Sequence, residues 1–432
     1  MTAWRVGVAI KPEQNFGQED TNAQWHYVGI GMDFSITENN GWNFQNGMGS
    51  KIPELEIEGR FSATWNGNLY LDYNNFYWLA FGLEGYAFTT ETIGTAPNTE
   101  TRGVHIFTTK NSKAISSFSM LICKLDREVG GKAGDENIVL LGCTMNKINP
   151  NYESSSSAVK CAIGGSFVDT VLTLVNLDDC IAYDESTRNT PRPFEWGCLQ
   201  TLNADETAWE KIANNEKTSF NISRSVRTIP ECGERIDTGF YESPVSAIPL
   251  TSTVYSRNPN QWQTRMHSGG IRNDIAVGET STPRRRGLEP IPDIRIASSS
   301  DSDRYVCSAQ FEECVVDSWG NTYNANSEIT ESPSLKARKG RIIIKTPDVT
   351  SAVVTATLTA VKVVYDFNDN EIPDLVSYYT IGDTIELPLP KKESSTFSKW
   401  TAGSTDYKGH QKVTLATDMV VNNTITFNAT WV

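Results

Sequence analysis

The chain has 432 residues, 38% hydrophobic and 10% aromatic, with a net charge of −14 at pH 7 and a pI near 4.9. That length exceeds one ordinary core and predicts two or three domains, and the apolar content excludes wholesale disorder. The acidic balance excludes a surface that wraps nucleic acid, because phosphate binding needs Lys and Arg in excess. An acidic wall would instead repel DNA.

The opening MTAWRVGVAIKPEQ has an apolar run of only about five residues and no small-residue cleavage site, so it does not read as a secretory signal. No stretch approaches the ~20 apolar residues of a membrane helix, and synthesis and folding in a cytoplasm are expected. Most of residues 1–350 consists of short alternating segments broken by Gly, Asn, Ser and Pro, the pattern of antiparallel β structure. The first is MDFSITENN from Met32. ELEIEGRFSATW (Glu54 to Trp65) follows, with Leu55, Ile57, Gly59, Phe61 and Ala63 on one face. Its other face carries Glu54, Glu56 and Glu58. NNFYWLAFG (Asn74 to Gly82) reads as a short amphipathic helix, and Thr89 to Arg102 as a polar interruption.

Strand text resumes in FSMLICKLDR, ENIVLLGCTMNKI, CAIGGSFV and VLTLVNL. Asn203 to Glu216 predicts a second helix, with Asn203 as N-cap, acids in the first turn and Trp209 and Ile212 inward. A second long polar stretch runs from Arg257 to Pro290 and carries Arg284, Arg285 and Arg286, a basic run in an acidic chain. A solvated loop and docking onto an acidic neighbouring subunit both fit it. RYVCSAQFEECVVDSW and GRIIIKT close the body. From Val361 a separate small β unit begins, punctuated by Gly382, Pro388 and Pro390.

The body repeats itself in outline. MDFSITENN with IPELEIEGRFSATWNGN corresponds to TSFNISRSV with SPVSAIPLTSTVYSRN. The stretch from Glu136 corresponds to that from Asp303, aligning Cys143 with Cys314 and Asn146 with Asp317. The expected division is 1–175 (first β-sandwich, with an N-terminal arm), 176–217 (linker with the second helix), 218–350 (second sandwich, with the long loop) and 361–432 (C-terminal unit).

No catalytic or metal frame emerges. The eight cysteines, Cys123, Cys143, Cys161, Cys180, Cys198, Cys232, Cys307 and Cys314, include no CxxC pair, and buried free thiols are the expectation. The four histidines, His26, His105, His267 and His410, fall in no HExxH-like frame, and GxSxG and P-loop motifs are missing. Asp366-x-Asn368-x-Asn370 opens like a calcium loop, but Glu371 and Ser377 stand where that loop requires Gly and a bidentate acid. A polar hairpin turn is expected there. No cofactor is expected, and the chain does not read as an enzyme.

The order of pieces resembles the tail tube proteins of long-tailed bacterial or archaeal viruses. The resemblance rests on VGVAIKPEQNFG (Val6 to Gly17), the DFSIT strand, ELEIEGRFSATW, the helix at NNFYWLAFG, and a G-C-x-x-N segment at Gly142, Cys143 and Asn146. It implies a β-sandwich with flanking helices that closes into rings stacked as a hollow tube. Two copies per chain would give trimeric, pseudo-six-fold rings; a single copy would need hexamers. Other tail proteins (tape measure, terminator, baseplate or tip) would be partners, and viral DNA would pass through the lumen without specific binding. Glu54, Glu56 and Glu58 become candidate lumen residues, and Trp4, Phe16 and Arg284 to Arg286 candidate inter-subunit contacts. The expected location is the virion tail, assembled in the host cytoplasm. The C-terminal unit resembles the internalin-type (Listeria–Bacteroides) β-repeat, β-grasp-like in fold, through Tyr379, Gly382, Leu387-Pro388-x-Pro390, Phe397, Trp400 and the closing Thr424-Ile425-x-Phe427-x-Ala429-x-Trp431. Tyr379, Gly382, Phe397, Trp400 and Trp431 are its expected core. A surface adhesin with a glycan- or wall-binding repeat is the main rival, and a carbohydrate-active enzyme a third reading.

Overall fold

A computed structural model describes residues 5–41, 43–46, 53–57, 61–70, 78–79, 82–83, 85–93, 99–109, 116–125, 137–153, 159–175, 180, 197–202, 206–212, 215–229, 231, 237–242, 247–255, 294–299, 306–322, 330–346, 358–369, 372–392 and 395–432. The described chain is nearly all β, as the alternating pattern predicts. In the first half the strands are β1 (Arg5–Pro12), β2 (His26–Asn39), β3 (Asn43–Asn46), β4 (Pro53–Ile57), β5 (Ser62–Tyr70), β6 (Gly85–Ile93), β7 (Glu100–Thr108), β8 (Phe118–Leu125), β9 (Asn137–Glu153), β10 (Lys160–Phe167) and β11 (Asp169–Thr173). The second half contains β12 (Gly197–Leu202), β13 (Trp209–Lys211), β14 (Asn215–Phe220), β15 (Ile222–Ser223), β16 (Val226–Ile229), β17 (Gly239–Glu242), β18 (Ile248–Tyr255), β19 (Ile294–Ser299), β20 (Val306–Glu312), β21 (Val315–Thr322), β22 (Thr330–Ala337) and β23 (Lys339–Thr346). The C-terminal unit comprises β24 (Leu358–Asp366), β25 (Leu375–Thr380), β26 (Thr384–Glu386), β27 (Phe397–Ala402), β28 (Thr405–Tyr407), β29 (Lys412–Thr414) and β30 (Thr424–Trp431).

Each half is a two-layer sandwich with the same strand scheme. In the first, a front sheet β2–β5–β10–β9 faces a back sheet β1–β8–β9–β11, and β9 is long enough to serve both. In the second, the front sheet is β14–β18–β22–β21 and the back sheet β12–β19–β20–β23, the single long strand being split at Glu313–Cys314. A two-stranded hairpin, β3–β4 in one half and β16–β17 in the other, follows the first front strand in both.

The match extends to single residues at the aligned cysteines. Gly142 (φ 63°) and Glu313 (φ 53°) both turn the backbone into the left-handed region. The next residue in each is a fully buried Cys whose Sγ donates three residues back, Cys143 to the Leu140 carbonyl at 3.6 Å and Cys314 to the Phe311 carbonyl at 3.4 Å. Three residues further on, each strand carries a β-bulge. Gly164 and Gly165 oppose Lys147 and Met145, leaving Asn146 extra; Ser334 and Leu335 oppose Ser318 and Val316, leaving Asp317 extra. The bulge and the left-handed residue together carry the strand from one sheet to the other. The first front strands match with a shift from the sequence alignment: Ile36 faces Trp65 as Phe220 faces Leu250, so Phe220 corresponds to Ile36 rather than to Phe34.

Three expectations change. The helix expected over 203–216 is absent from its described part: Trp209–Lys211 pairs with β12, and Ile212 N–H donates to the Leu199 carbonyl at 2.8 Å. Trp209 and Ile212 have helical spacing, but sheet pairing and the Arg295 guanidinium 4.6 Å from the Trp209 ring centre override it. The described parts of the polar stretch 89–102 belong to strands rather than a loop: residues 89–93 end β6, 100–102 begin β7, and Glu91 pairs with Arg102 in register. Residues 197–202, expected in the linker, form the back-sheet strand β12. At the first predicted helix, Trp78, Leu79 and Gly82 are helical, and Leu83 N–H donates to the Leu79 carbonyl at 2.9 Å.

The front-sheet core also distinguishes the halves. Fully buried Trp65 fills the space that Gly165 leaves open, and a Cβ at Gly165 would lie 1.7 Å from the Thr144 carbonyl oxygen. In the second half the corresponding pair is Leu250 and Leu335. The C-terminal unit has its own core around fully buried Trp400, whose Nε1 donates to the Pro388 carbonyl at 2.7 Å. Tyr379 is buried in it, Phe397 and Trp431 pack against it, and Gly382 turns at φ 85°. Trp431 Nε1 donates to the Phe367 carbonyl at 2.7 Å.

Candidate assembly surface

Among the described residues the two sandwiches are joined by strand pairing in both layers. In the front layer β14 and β15 add to the open side of β9, with Lys217 opposite Glu153, Ser219 opposite Asn151 and Ile222 opposite Ile148. Arg224 is buried at this seam and donates from Nη2 to the Gly82 carbonyl at 2.5 Å, tying the second half to the helical turn of the first. In the back layer the β6–β7 hairpin of the first half reaches across to pair with β23 of the second, from Gly103 opposite Thr346 to Thr108 opposite Arg341. Apolar burial then makes the seam continuous with both cores, since Phe107, Tyr86, Ile342 and Ile344 share one cluster.

The same layout gives, among the described residues, matching edges with one strand neighbour at the two ends. Among the described residues, β21, the counterpart of the outer part of β9, pairs only with β22, and the Asp33–Asn39 stretch of β2, the counterpart of β14, pairs only with β5. Val315 on β21 is exposed, whereas its counterpart Thr144 is buried. The chain therefore presents at one end the edge type that it uses internally as acceptor, and at the other the type it uses as donor.

Of the residues singled out from sequence, Glu54 and Glu56 lie on β4, with Glu56 opposite Phe44, and their side chains fall outside the described set. Glu58, Trp4 and Arg284, Arg285 and Arg286 lie outside the described residues. Phe16 is half-buried and packs within the chain, its ring 5.2 Å from that of Phe240 on β17. The N-terminal loop around it is pinned by Glu13, whose carboxylate accepts from Gly142 N–H (2.8 Å), Gly17 N–H (3.1 Å) and the Ser119 hydroxyl (2.9 Å). Burial raises the Glu13 pKa despite these donors.

The C-terminal unit is anchored by a polar cluster that the sequence does not advertise. Glu91 on β6 accepts from Tyr378 Oη and Arg102 Nε, and lies 3.0 Å from Lys345 Nζ. Burial pushes the Glu91 carboxyl up, but Lys345, Tyr378 and Arg102 outweigh it and hold the pKa below its ordinary value. The Tyr378 phenol is raised by burial and by the same carboxylate. Ser377 donates to Gln310 Oε1 at 2.9 Å, and the Arg341 guanidinium stands 3.6 Å over the Tyr379 ring. Lys412 on β29 reaches Glu313 at 3.2 Å. Tyr379 thus serves both its own core and the anchor.

Residues suspected of chemistry have structural partners. His105 is a buried strand residue, with Nδ1 3.0 Å from Tyr86 Oη, and His410 lies 3.1 Å from Glu386 and 3.5 Å from Glu206. Asp366 accepts from Asn368 N–H at 2.7 Å in a tight turn with Asn368 at φ 50°. The described cysteines Cys123, Cys143, Cys161, Cys180 and Cys314 are buried. Among the described residues no three metal-ligating side chains converge, and no helix is long and apolar enough to cross a membrane. Neither a family model nor a curated protein matches this chain.

Proposed function

We propose that this protein is a self-assembling ring subunit of a viral tail tube, a structural component of the virion tail through which DNA is ejected. One observation carries the reading: the front-layer edges that have one neighbour among the described residues, β21 and the outer part of β2, are the counterparts of β9 and β14, which are joined within the chain. An edge pair mated once inside a chain can be mated again between chains, head to tail. Three chains, each holding two sandwiches, would close a ring of pseudo-six-fold symmetry. The overall acidic charge suits a conduit that DNA must pass without sticking, and Glu54, Glu56 and Glu58 remain the candidate lumen residues within this proposal. The C-terminal unit would be an outward decoration. The rival adhesin reading needs an exposed aromatic platform on that unit, whereas Trp400 is buried and the Trp431 indole is bonded to the Phe367 carbonyl.

Sedimentation and negative-stain microscopy of the purified chain test the proposal. Three-chain rings with a central hole, or tubes of stacked rings, are the expected outcome. A strict monomer at high concentration overturns it.

A further inference from the structure

In the back layer the two halves differ at one edge. Counting from the shared bulge, β11 corresponds to β23: Asp169 pairs with Leu141 as Lys339 pairs with Glu312, and Thr170 with Leu140 as Gly340 with Phe311. The preceding residues repeat the same bond, Val168 N–H to the Leu141 carbonyl at 2.9 Å and Arg338 N–H to the Glu312 carbonyl at 3.2 Å. Leu172 therefore matches Ile342, and Leu174 matches Ile344. Both leucines are 76% exposed, while Ile342 and Ile344 are 3% and 5% exposed. The outer edge of β23 carries the β6–β7 hairpin; among the described residues β11 pairs only with β9.

We infer that β11 is a docking edge for a second copy of this chain, and that the neighbour covers it with its residues 256–293. That stretch lies between β18 and β19, the place in chain order that the β6–β7 hairpin occupies between β5 and β8. The first half lends its hairpin to the second within one chain, so the corresponding stretch of the second half is lent to the first half of the next chain. The stretch contains Arg284, Arg285 and Arg286, and β11 begins at Asp169, with Glu38 accepting from the Thr170 hydroxyl at 3.1 Å beside it. Opposite charge would guide the approach, and burial of Leu172 and Leu174 would hold it. Among the described residues of a single chain this edge has no second strand beside it, and its cover would come from another molecule.

This inference rests on the ring reading and is separable from it. L172K/L174K alters two exposed side chains, so its melting temperature and circular dichroism should match those of the parent. Its ring formation should require at least about a hundredfold higher concentration, from the loss of two buried leucines. In parent rings, hydrogen exchange at the β11 amides should slow relative to the dissociated chain. If L172K/L174K assembles at the parent's concentration, or if β11 exchanges equally fast in rings and in single chains, the inference falls while the ring reading stands. If the parent never associates, both fall.

Discussion

The two sandwiches of this chain are built on one plan but differ in how their surroundings complete them. In the second, β14 is paired on both sides, β23 is covered by the β6–β7 hairpin, and the C-terminal unit extends the back layer beyond β6 through a short parallel pairing with β24. In the first, the matching stretches of β2 and β11 each have one neighbour among the described residues. The plan specifies which edges exist; the position of each sandwich in the chain decides which are filled. Exposed strand edges usually carry a protective device. On β11 and just beyond it, Leu172 and Leu174 are instead exposed.

Substitutions that exploit the common plan test this comparison, beginning with the largest effect. Gly165→Leu places at the first bulge the residue that the second tolerates as Leu335, but its Cβ would collide with the Thr144 carbonyl and the Trp65 ring. It should cost more than about 4 kcal/mol or abolish folding, read by urea unfolding. Leu335→Ala at the matching site removes a buried side chain without backbone conflict and should cost about 3 kcal/mol. Equal effects from these two would break the claim that Trp65–Gly165 and Leu250–Leu335 are alternative fillings of one space.

Glu91→Gln probes the attachment of the C-terminal unit and should cost about 2 kcal/mol at neutral pH through weakened charged hydrogen bonds. The sign of the pH effect follows from the lowered pKa of Glu91. Its contribution is complete above the ordinary carboxylate value and is lost as pH falls through the lower folded-state value. Melting curves across that acid range should therefore be flatter for Glu91→Gln than for the parent. Glu13, with its raised pKa, has the opposite sign: its contribution is present at low pH and is lost as pH rises through the raised value. Acid should weaken the unit's anchor before the N-terminal loop. The smallest effect is expected from Cys143→Ala and Cys314→Ala, each about 1 kcal/mol and alike, because the two buried thiols follow the same left-handed turn and each donates to the carbonyl three residues back. A clear difference between them would weaken the equivalence.

Much of this was legible in the sequence for physical reasons. Alternating apolar text marked the strands, and the alignment of Cys143 with Cys314 and Asn146 with Asp317 coincided with matching positions: a buried Cys after a left-handed residue, and the extra residue of the bulge three places on. Trp400 and the turn at Gly382 were readable as the framework of a small core. Trp209 and Ile212 misled, since their spacing suits a helix as well as a short strand that is held by β12. The ends of β6 and β7 within 89–102 read as part of a loop because their residues are polar. The Glu91 anchor was invisible because Tyr378 and Lys345 lie more than 250 residues away in sequence, and no local pattern announces such a carboxylate.

The register of the internal junction predicts the contact between chains. Ser219 faces Asn151 across β14 and β9; their counterparts on the open edges are Ser35 and Thr322. Antiparallel partners lie about 4.5–5.5 Å apart at Cα, within reach of a disulfide. Oxidising an S35C/T322C double variant should yield covalently linked chains in a non-reducing gel, with the ladder ending at three. No link between chains, or a ladder that runs on without limit, would contradict the closed trimeric ring.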